Sequence, residues 1–256
     1  MKKKFIKFAK IVFNFLGLDL RKIIALRNLP KFILDFLKWR SKKGPISSFF
    51  PILSDLDDFA GITSGHYFHQ DLLVAQLVLS KNLSHVDIGS RIDGFVSHIA
   101  STRPIEIWDI RSLEPSVHSN IIFKKLDLMG DIKYLENSVE SLSCLHALEH
   151  FGLGRYGDPI NPKGHIVGLK NMIKILKTGG FFYISIPLDI KNTIQFNAHR
   201  TFNPTWILNL EFVINNLKLL RFDYIDGSGS LHKNIKCKSK LPNLSYSCGI
   251  YTFIKV

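Results

Sequence analysis

The sequence is poor in cysteine and contains no long uninterrupted hydrophobic run. Its 256 residues include three cysteines, Cys144, Cys237 and Cys248, and no two of them form a C-x-x-C pair. This odd and sparse set excludes a disulfide framework and a zinc ribbon, and it favours a reducing compartment. No apolar run approaches the roughly 20 residues that a helix needs to span a bilayer. The sequence therefore predicts a cytoplasmic protein.

The amino terminus offers little support for secretion. Its first four residues, Met1 to Lys4, are similar to the basic start of a signal peptide. Lys7 and Lys10 interrupt the apolar stretch that should follow, and no clear small-residue cleavage site comes after it. We therefore expect the chain to remain inside the cell.

Positive charge is concentrated at one end of the chain. Lysine and arginine total 34 against 21 acidic residues, which gives a formal net charge of +13. Residues 1–43 contain thirteen basic and two acidic residues, so this segment carries +11 and the remaining chain carries +2. A nearly neutral body with a basic leader argues against a domain that coats nucleic acid with a uniformly basic surface.

The leader has the spacing of amphipathic helices. Large apolar residues recur from Phe5 to Phe15, and a second apolar stripe runs from Leu29 to Trp39, where Pro30 suits a first helical turn. Aromatic rings interleaved with lysines suit the surface of an anionic membrane. The leader could therefore make the protein peripheral on the inner face of the membrane. Packing of these helices on the body is an equally compatible alternative. We predict a basic amphipathic helical leader over residues 1–44 and a second domain over residues 45–256.

The second domain shows strands that alternate with helices. Helices are predicted over Tyr67–Leu79 and Lys163–Leu176 and from Asn203-Pro204 onward. Strand-like runs occupy His85–Ile88, Ile105–Trp108, Ile121–Leu126, Ser141–Leu145, Phe181–Ile186, Phe222–Tyr224 and Ile250–Lys255. This alternation predicts an α/β fold with a doubly wound, mostly parallel sheet, in which ligands bind beyond the carboxyl ends of the strands.

Acidic residues and glycines follow the first three predicted strands. The first strand leads into Asp87-Ile88-Gly89-Ser90-Arg91-Ile92-Asp93-Gly94, where Gly89 permits a tight turn and close approach of a ligand. Asp109 ends the second strand, where a carboxylate can accept hydrogen bonds from ribose hydroxyls. Asp127 follows the third strand and could face an adenine amino group. The three positions predict a nucleotide-type cofactor, although each could also be a loop acid in solvent.

These features resemble the class I S-adenosylmethionine-dependent methyltransferases. The turn Leu176-Lys177-Thr178-Gly179-Gly180 and the run Leu148-Glu149-His150 are similar to segments of that family. The resemblance implies a Rossmann-like methyltransferase fold and S-adenosylmethionine as cofactor. It assigns cofactor binding to Asp87, Gly89, Ser90, Arg91, Gly94, Asp109 and Asp127. The loop departs from D-x-G-x-G-x-G because Arg91 replaces the middle glycine and Gly94 falls one residue late; Arg91 would either crowd the cofactor or bind its carboxylate.

A denser constellation lies between residues 146 and 158 and is completed by Phe196–Arg200. These runs, with Tyr67–Asp71 and Asp87–Phe95, closely resemble the family called domain of unknown function 268, over residues 49–225. The family is methyltransferase-like and is found in bacteria near genes for surface glycans, which implies a saccharide or related polar acceptor. Eight residues are candidate catalytic groups: His146, Glu149, His150, Arg155, Tyr156, Asp158, His199 and Arg200.

The chemistry of these side chains suggests their roles. His146 or His150 could act as a general base near neutral pH, with Glu149 orienting one of them. Arg155, His199 and Arg200 could hold an anionic substrate such as a uronic acid or a nucleotide-sugar phosphate. We predict no metal site, because the order of Glu149 between the two histidines only superficially matches H-E-x-x-H. The structural alternative pairs Arg155 with Asp158 and buries Tyr156 in the core.

Three functions follow from these observations. The first is methyl transfer to a hydroxyl or carboxyl group of a glycan or other small molecule. The second keeps the fold but performs other chemistry on a nucleotide-sugar. The third is a non-catalytic, membrane-associated scaffold. Nucleic acid is a disfavoured partner, because the basic residues of the leader alternate with large aliphatic ones.

Overall fold

The computed structural model describes residues 20–115 and 118–256 of the chain, which divides into two units. The first unit ends at Ile62 and the second begins at Thr63. The predicted boundary at residues 44 and 45 thus lies eighteen residues earlier, and the division at that position stays a prediction. The predicted helix around Phe5–Phe15 lies outside the described residues.

The first unit is built around two helices that follow each other closely. Helix α1 spans Leu20–Ala25 and helix α2 spans Leu29–Ser41, with a 3-10 turn between them and Pro30 in the first turn of α2. Phe49 returns to α2 and packs edge-on against Phe32 and Phe36, with ring centroids 5.7 and 4.9 Å away. The predicted second helix of the leader is therefore confirmed.

The second unit contains an eight-stranded sheet and a two-stranded hairpin. The strands are β1 His85–Ile88, β2 Ile105–Asp109, β3 Ile121–Lys125, β4 Val139–Leu145, β5 Leu176–Leu188, β6 Thr193–Gln195, β7 His199–Thr201, β8 Leu217–Ile225, β9 Leu231–His232 and β10 Ser247–Lys255. The large sheet has the order β3-β2-β1-β4-β5-β10-β8-β9, and β6 pairs with β7. Strands β1 to β5 run parallel to one another, and β10 runs antiparallel to both β5 and β8.

This order is that of a Rossmann-like sheet, so the predicted fold class is confirmed. The chain leaves β1 in one direction for β2 and β3 and in the other for β4 and β5. Strands β1 and β4 therefore flank the switch point, where an open α/β sheet forms its ligand crevice. The loops that begin at Gly89 and His146 leave the sheet at this point.

Helices cover both faces of the sheet in the second unit. They are α3 His66–Leu79, α4 Ser97–Ala100, α5 Gly164–Ile175 and α6 Glu211–Ile214. On one face, Val74 and Val78 of α3 pack with Ile99 of α4 in a fully buried cluster. On the other face, Leu169 and Met172 of α5 pack in the larger cluster. The apolar spacing that predicted α3 and α5 is explained by these two layers.

Two predicted element boundaries are wrong in detail. Strand β5 begins at Leu176 rather than Phe181, because Leu176 already pairs with Val139 and the pairing register shifts before Phe181. The Lys177–Gly180 turn is therefore a bulge inside a strand. No long helix begins at Pro204: a turn leads to the 3-10 segment Ile207–Asn209 and then to the single-turn helix α6.

Within residues 20–115 and 118–256, no helix is both long enough and apolar enough to cross a membrane.

Candidate active site

Two adjoining cavities open at the carboxyl ends of β1 to β4. The smaller, with about 560 Å³ of open space, lies beyond β1, β2 and β3. The larger, of about 1480 Å³, lies between the loop after β1, the start of α3 and the loop after β4. Both cavities are lined by five shared residues: Gly89, Arg111, His146, His150 and Tyr156. The two cavities therefore suit two ligands that meet.

Thirteen of the fifteen predicted site residues line these cavities. The smaller cavity is lined by Gly89, Asp109, Asp127, His146, His150, Tyr156 and Asp158. The larger is lined by Gly89, Ser90, Arg91, Gly94, His146, Glu149, His150, Arg155, Tyr156 and His199. Asp87 and Arg200 line neither cavity.

Asp87 stabilises the loop after β1 through buried hydrogen bonds. Its side chain is buried and accepts hydrogen bonds from the backbone N–H of Ser90 at 3.0 Å, the Ser90 hydroxyl at 2.9 Å and the Ser143 hydroxyl. Burial raises the pKa of Asp87 to about 6, although these hydrogen bonds act in the opposite direction. The structure thus gives Asp87 a loop-shaping position, and a direct cofactor contact remains a prediction.

The buried His85 of β1 extends this hydrogen-bond network to the serines of β4. His85 lies 2.7 Å from the Ser141 hydroxyl and 3.0 Å from that of Ser143, which also binds Asp87. Burial lowers the pKa of His85 to about 3, so the ring is neutral. The hydrogen bonds of this network hold the Asp87 carboxyl group and thereby fix the start of the loop.

Gly89 allows the loop after β1 to pass close to the loop after β4. Its φ of +71° is left-handed, and a Cβ at this position would lie 3.1 Å from the Cβ of Ala147. Any larger residue would be strained and would fill the junction of the two cavities. Gly94, later in the same loop, faces Asp71 of α3, because a Cβ there would lie 2.5 Å from the Asp71 carboxylate. Both glycines therefore permit close packing.

Arg91 neither fills the smaller cavity nor leaves its charge free. Its guanidinium donates two hydrogen bonds to Asp93, at 3.0 and 2.5 Å, and its side chain is 72% exposed. The residue lines the larger cavity only. Arg91 therefore does not line the smaller cavity, and both alternatives that the sequence left open, crowding of the cofactor and binding of its carboxylate, stay predictions.

Asp109 lies at the floor of the smaller cavity and is held by a partner that sequence reasoning missed. Arg111 donates to both carboxylate oxygens of Asp109, at 3.0 and 2.5 Å, while 46% of its side chain is exposed. The backbone N–H of Arg111 also donates to Asp109, at 2.8 Å. A carboxylate has about four acceptor sites, so these three hydrogen bonds leave about one site for a hydroxyl donor. Asp127, at the end of β3, accepts the N–H of Met129 at 2.8 Å through one oxygen.

His146 and Glu149 form a buried pair at the base of the larger cavity. The Nδ1 atom of His146 lies 2.9 Å from Oε1 of Glu149, and both side chains are less than a tenth exposed. Burial opposes charge on either residue, yet the Cys248 sulfur and the Glu149 carboxylate raise the pKa of His146 above its ordinary value. Burial likewise opposes ionisation of Glu149, but the hydrogen bond from His146 and the nearby imidazoles lower its pKa. We assign the pair as imidazolium and carboxylate.

The backbone of His146 is itself unusual. Its φ of +49° lies in the left-handed region, which a non-glycine residue enters at a cost in energy. The N–H of His146 donates to the hydroxyl and carbonyl of Ser185, at 3.0 and 3.2 Å, and this places the ring against the cavity. Strain retained at such a position is typical of a functional site.

His150 has the opposite protonation state. Its Nδ1 lies 2.7 Å from the carbonyl oxygen of Ala198, which can only accept, so Nδ1 carries the proton and Nε2 has a lone pair. Burial lowers the pKa of His150 more than Glu149 raises it, so the ring is neutral near pH 7. A neutral ring with a fixed tautomer and access to both cavities has the properties of a general base.

The glycine-rich loop after β4 is held from inside by Asp158. One carboxylate oxygen accepts the N–H groups of Gly152 at 2.7 Å and Gly154 at 3.1 Å, and the other accepts that of Tyr156 at 3.2 Å. Asp158 is therefore engaged with backbone and forms no pair with Arg155. This outcome corrects the structural alternative derived from the sequence.

Arg200 ties the same loop to β7. It is buried and donates to the carbonyl oxygens of Glu149 at 3.2 Å and Phe151 at 2.7 Å. Burial lowers its pKa. To contact an anionic substrate as predicted, Arg200 would have to break these hydrogen bonds. In the observed position it links the loop to β7 behind the cavities.

Tyr156 lies at the mouth of the two cavities. The structural alternative, which placed this residue in the core, is therefore wrong. The guanidinium carbons of Arg111 and Arg155 lie 4.5 and 5.2 Å from its ring centroid, and 37% of the residue is exposed. The ring also meets His150 edge-on, with centroids 5.4 Å apart. Tyr156 thus orients both arginines and the proposed base.

Sequence reasoning missed three lining residues, which are Arg111, His66 and Tyr246. His66 stacks flat on His146, with ring centroids 5.3 Å apart, and also on Tyr246 at 5.4 Å. Burial lowers the pKa of His66 to about 4. Tyr246 precedes β10, and an antiparallel strand begins at the edge where its parallel neighbours end. The direction of β10 is the signal that would have located Tyr246.

Three buried polar atoms of the larger cavity's lining residues have no hydrogen-bond partner among the described residues. They are Nε2 of His146, Oε2 of Glu149 and Nε2 of His199. Buried polar groups are rarely left unpaired, which points to a ligand at this position. In the part of the chain that the structure describes, no group of three or more His, Cys, Asp or Glu side chains has the geometry to hold a metal ion.

Comparison with known proteins supports the fold and the family resemblance. Residues 116–240 match the family described as Caenorhabditis protein of unknown function, DUF268. The match begins later than the resemblance predicted over residues 49–225 and extends further, and it includes the whole of the 146–158 loop. The predicted resemblance to this family is confirmed. No curated protein matches the chain.

Solved structures share the architecture at low sequence identity. The [4+2]-cyclase SpnF has a TM-score of 0.52 and 11% identity, covering 76% of this chain and 88% of its own. The N-methyltransferase NodS from Bradyrhizobium japonicum WM9, in complex with S-adenosyl-l-homocysteine, has a TM-score of 0.48 and 15% identity, covering 79% and 91%. A Burkholderia thailandensis 1,6-didemethyltoxoflavin-N1-methyltransferase has a TM-score of 0.48 and 13% identity, covering 73% and 77%. The likeness to SpnF establishes the fold and not the chemistry.

Proposed function

We propose that this chain, with its DUF268 match on a Rossmann-like methyltransferase fold, is an S-adenosylmethionine-dependent methyltransferase that acts on a saccharide or related polar small molecule. One observation carries the proposal. A cavity floored by Asp109 and Asp127 opens at Gly89 onto a second cavity that contains the neutral imidazole of His150. A cofactor cavity joined to an acceptor cavity with a base at the junction is what methyl transfer to a hydroxyl requires.

The residues of the smaller cavity fit the cofactor. Asp109 retains about one acceptor site, which could take a ribose hydroxyl, and Asp127 can accept from the adenine amino group. The backbone at Gly89 leaves room for the sulfur-bearing portion at the junction of the cavities. When bound, the cofactor supplies an electrophilic methyl group. Its carboxylate would lie toward the larger cavity, where Arg91 is within the lining.

The chain's own residues supply acid–base chemistry and orientation. Nε2 of His150 accepts the proton of the acceptor hydroxyl as the oxygen becomes nucleophilic. The resulting imidazolium is stabilised by Glu149, whose Oε1 lies 3.8 Å from this nitrogen. His146 balances the charge of Glu149 before the reaction. The ring faces of Tyr67, His66 and Tyr246 enclose an acceptor of moderate size.

The thermal-shift response of the protein to two ligand classes tests this proposal. S-adenosylhomocysteine should raise the melting temperature, and UDP-glucose should neither raise it nor compete. The Asp109→Ala variant should lose the shift. A shift produced by UDP-glucose and absent with S-adenosylhomocysteine would favour the second function, non-methyl-transfer chemistry on a nucleotide-sugar.

We further propose that the leader places the enzyme at an anionic membrane surface on the cytoplasmic side. Helix α2 has no buried residue, and Leu34, Leu37 and Trp39 are each more than half exposed beside Lys38 and Arg40. Apolar side chains flanked by cations suit the boundary between headgroups and acyl chains. If the protein is an enzyme of glycan assembly, cells should not tolerate the loss of His150. If it has the third function, a scaffold without catalysis, they should tolerate it.

A further inference from the structure

The larger cavity contains a fixed guanidinium without an acidic partner. Arg155 donates to the carbonyl oxygen of Ala198 at 2.9 Å, and its guanidinium lies over the ring of Tyr156. No carboxylate of the described residues lies within ion-pair distance of it, whereas Arg91 and Arg111 are paired with Asp93 and Asp109. Most of the donor capacity of Arg155 therefore faces the cavity mouth unused.

Two of the acidic residues around this cavity have cationic partners. Asp93 is paired with Arg91, and Glu149 is paired with His146. Asp71 accepts a hydrogen bond from Gln70, and burial raises its pKa. Arg155 is thus the arginine of this lining that has no carboxylate within ion-pair distance, so an anion bound beside it would gain a charged partner.

The position of Arg155 relates it directly to the base. The same carbonyl oxygen of Ala198 accepts from Nη1 of Arg155 and from Nδ1–H of His150. The guanidinium of Arg155 therefore lies on the Nδ1 side of the His150 ring, and both residues line the larger cavity. His199, which follows Ala198, lines the same cavity and has a buried Nε2 atom without a partner. Two donors of different kinds thus converge on one region.

We propose that the acceptor carries an anionic group, a carboxylate or a phosphate, that is bound by Arg155 and His199 in the cavity that contains the base His150. This inference rests on the proposed methyl transfer and narrows its substrate class from polar to acidic. Guanidinium suits both anions because its planar donors match two oxygens at once. Arg111, on the other side of Tyr156, is positioned to add a second charge when it is released from Asp109. Arg200, for which the sequence suggested this role, is occupied by backbone carbonyls.

Ligand-observed NMR on the full chain, with and without S-adenosylhomocysteine, tests the inference. The probes are D-glucuronate, D-glucose and inorganic phosphate, so that a carboxylate, its neutral counterpart and a free phosphate are compared. Glucuronate or phosphate should bind and glucose should bind at least about tenfold more weakly, because hydrogen bonds to charged groups contribute more than neutral ones. Binding of glucose equal to that of glucuronate, or no binding of either anion, would overturn the inference.

Two variants locate the site. Arg155→Gln should weaken binding of the preferred anion by about tenfold or more, and Arg155→Lys by less, because the charge is retained without the planar fork. Lys218→Gln removes a charge from the amino end of β8 and should have no effect. An unchanged affinity in Arg155→Gln would contradict the assignment. If the anion binds in this way but S-adenosylhomocysteine does not bind, the methyltransferase proposal fails and the anion site stands; the reverse result rejects only the anion site.

Discussion

At the scale of single residues, the two histidines after β4 differ in charge because their partners differ. His146 faces a carboxylate and is held as a cation, whereas His150 faces a carbonyl and is held neutral. The sequence Leu148-Glu149-His150 placed both near Glu149 but could not distinguish them. The carbonyl that decides the tautomer of His150 belongs to Ala198, which is 48 residues away.

This difference predicts the effect of removing the base. His150→Asn should lower kcat for methyl transfer to an acidic saccharide by about 10²-fold or more, which is the range for a general base. Binding of S-adenosylhomocysteine should change little. His98→Asn, on the exposed side of α4, is the matched control. An unaltered kcat in His150→Asn would remove His150 from the mechanism.

The same residue sets the pH dependence. His150 must be unprotonated to act, and burial lowers its pKa below the ordinary value of 6.5. Activity should therefore be lost as pH falls through an apparent pKa below 6.5 and should be level around pH 7. A profile that still rises steeply above pH 7 would contradict this assignment.

At the scale of elements, the loop after β4 depends on glycines with different surroundings. Gly152 has φ +78°, and an added Cβ would lie 2.0 Å from the carbonyl oxygen of Asn161. Gly157 has φ +81° with nothing within 4 Å of such a Cβ. The sequence shows the three glycines of this loop but not which of them is enclosed.

These surroundings predict unequal effects of alanine substitution on stability. Gly157→Ala should cost about 1–2 kcal/mol, the energy of a left-handed conformation for a residue with a Cβ. Gly152→Ala should cost clearly more, or prevent folding, because a backbone atom must also move. Urea denaturation measures both values. Equal losses in the two variants would show that the loop is not held against Asn161.

The strands show which parts of the fold a sequence can predict. Runs of β-branched residues that end in a turn predicted β1 over the residues that it occupies, and β2 and β3 to within one residue at an end. Strand β5 begins earlier than predicted because its pairing with Val139 is a long-range contact that overrides the glycines of the turn. The antiparallel direction of β10 likewise depends on pairing with β5 and β8.

The site follows the same division. Strand ends share an edge, so Asp109, Asp127 and His146 could be brought together from the sequence alone. Arg111 pairs with Asp109 and Arg200 turns inward, and neither orientation has a local signal. His66 and Tyr246 reach the site through a helix start and an antiparallel strand, which a reading of parallel strand ends does not include.

At the scale of the whole molecule, charge is unevenly distributed between the leader and the body. Residues 1–43 carry +11 of the total of +13. The arginines at the cavities act singly on a ligand, whereas the leader acts as a cluster. The excess charge therefore bears on where the protein is located, and the single arginines bear on what it binds.

The membrane proposal predicts salt-sensitive binding to vesicles. The full chain should sediment with phosphatidylserine-containing liposomes at low ionic strength and be released at high ionic strength, because screening shortens the range of the attraction. Replacing Lys42 and Lys43 by glutamine should weaken binding roughly thirtyfold, at about 1 kcal/mol for each lysine near the surface. Phosphatidylcholine vesicles are the control. Binding that ignores salt, or its absence, would favour packing of the leader on protein.

Calorimetric titration measures whether the smaller cavity binds S-adenosylmethionine through Asp109, as proposed. The native chain should bind S-adenosylhomocysteine at a single saturable site. Asp109→Ala should weaken this binding at least about tenfold, because it removes hydrogen bonds to a charged acceptor, while Glu114→Ala, a nearby exposed acid, should not. No heat from the native chain at ligand concentrations well above micromolar, or equal binding by Asp109→Ala, would contradict the account.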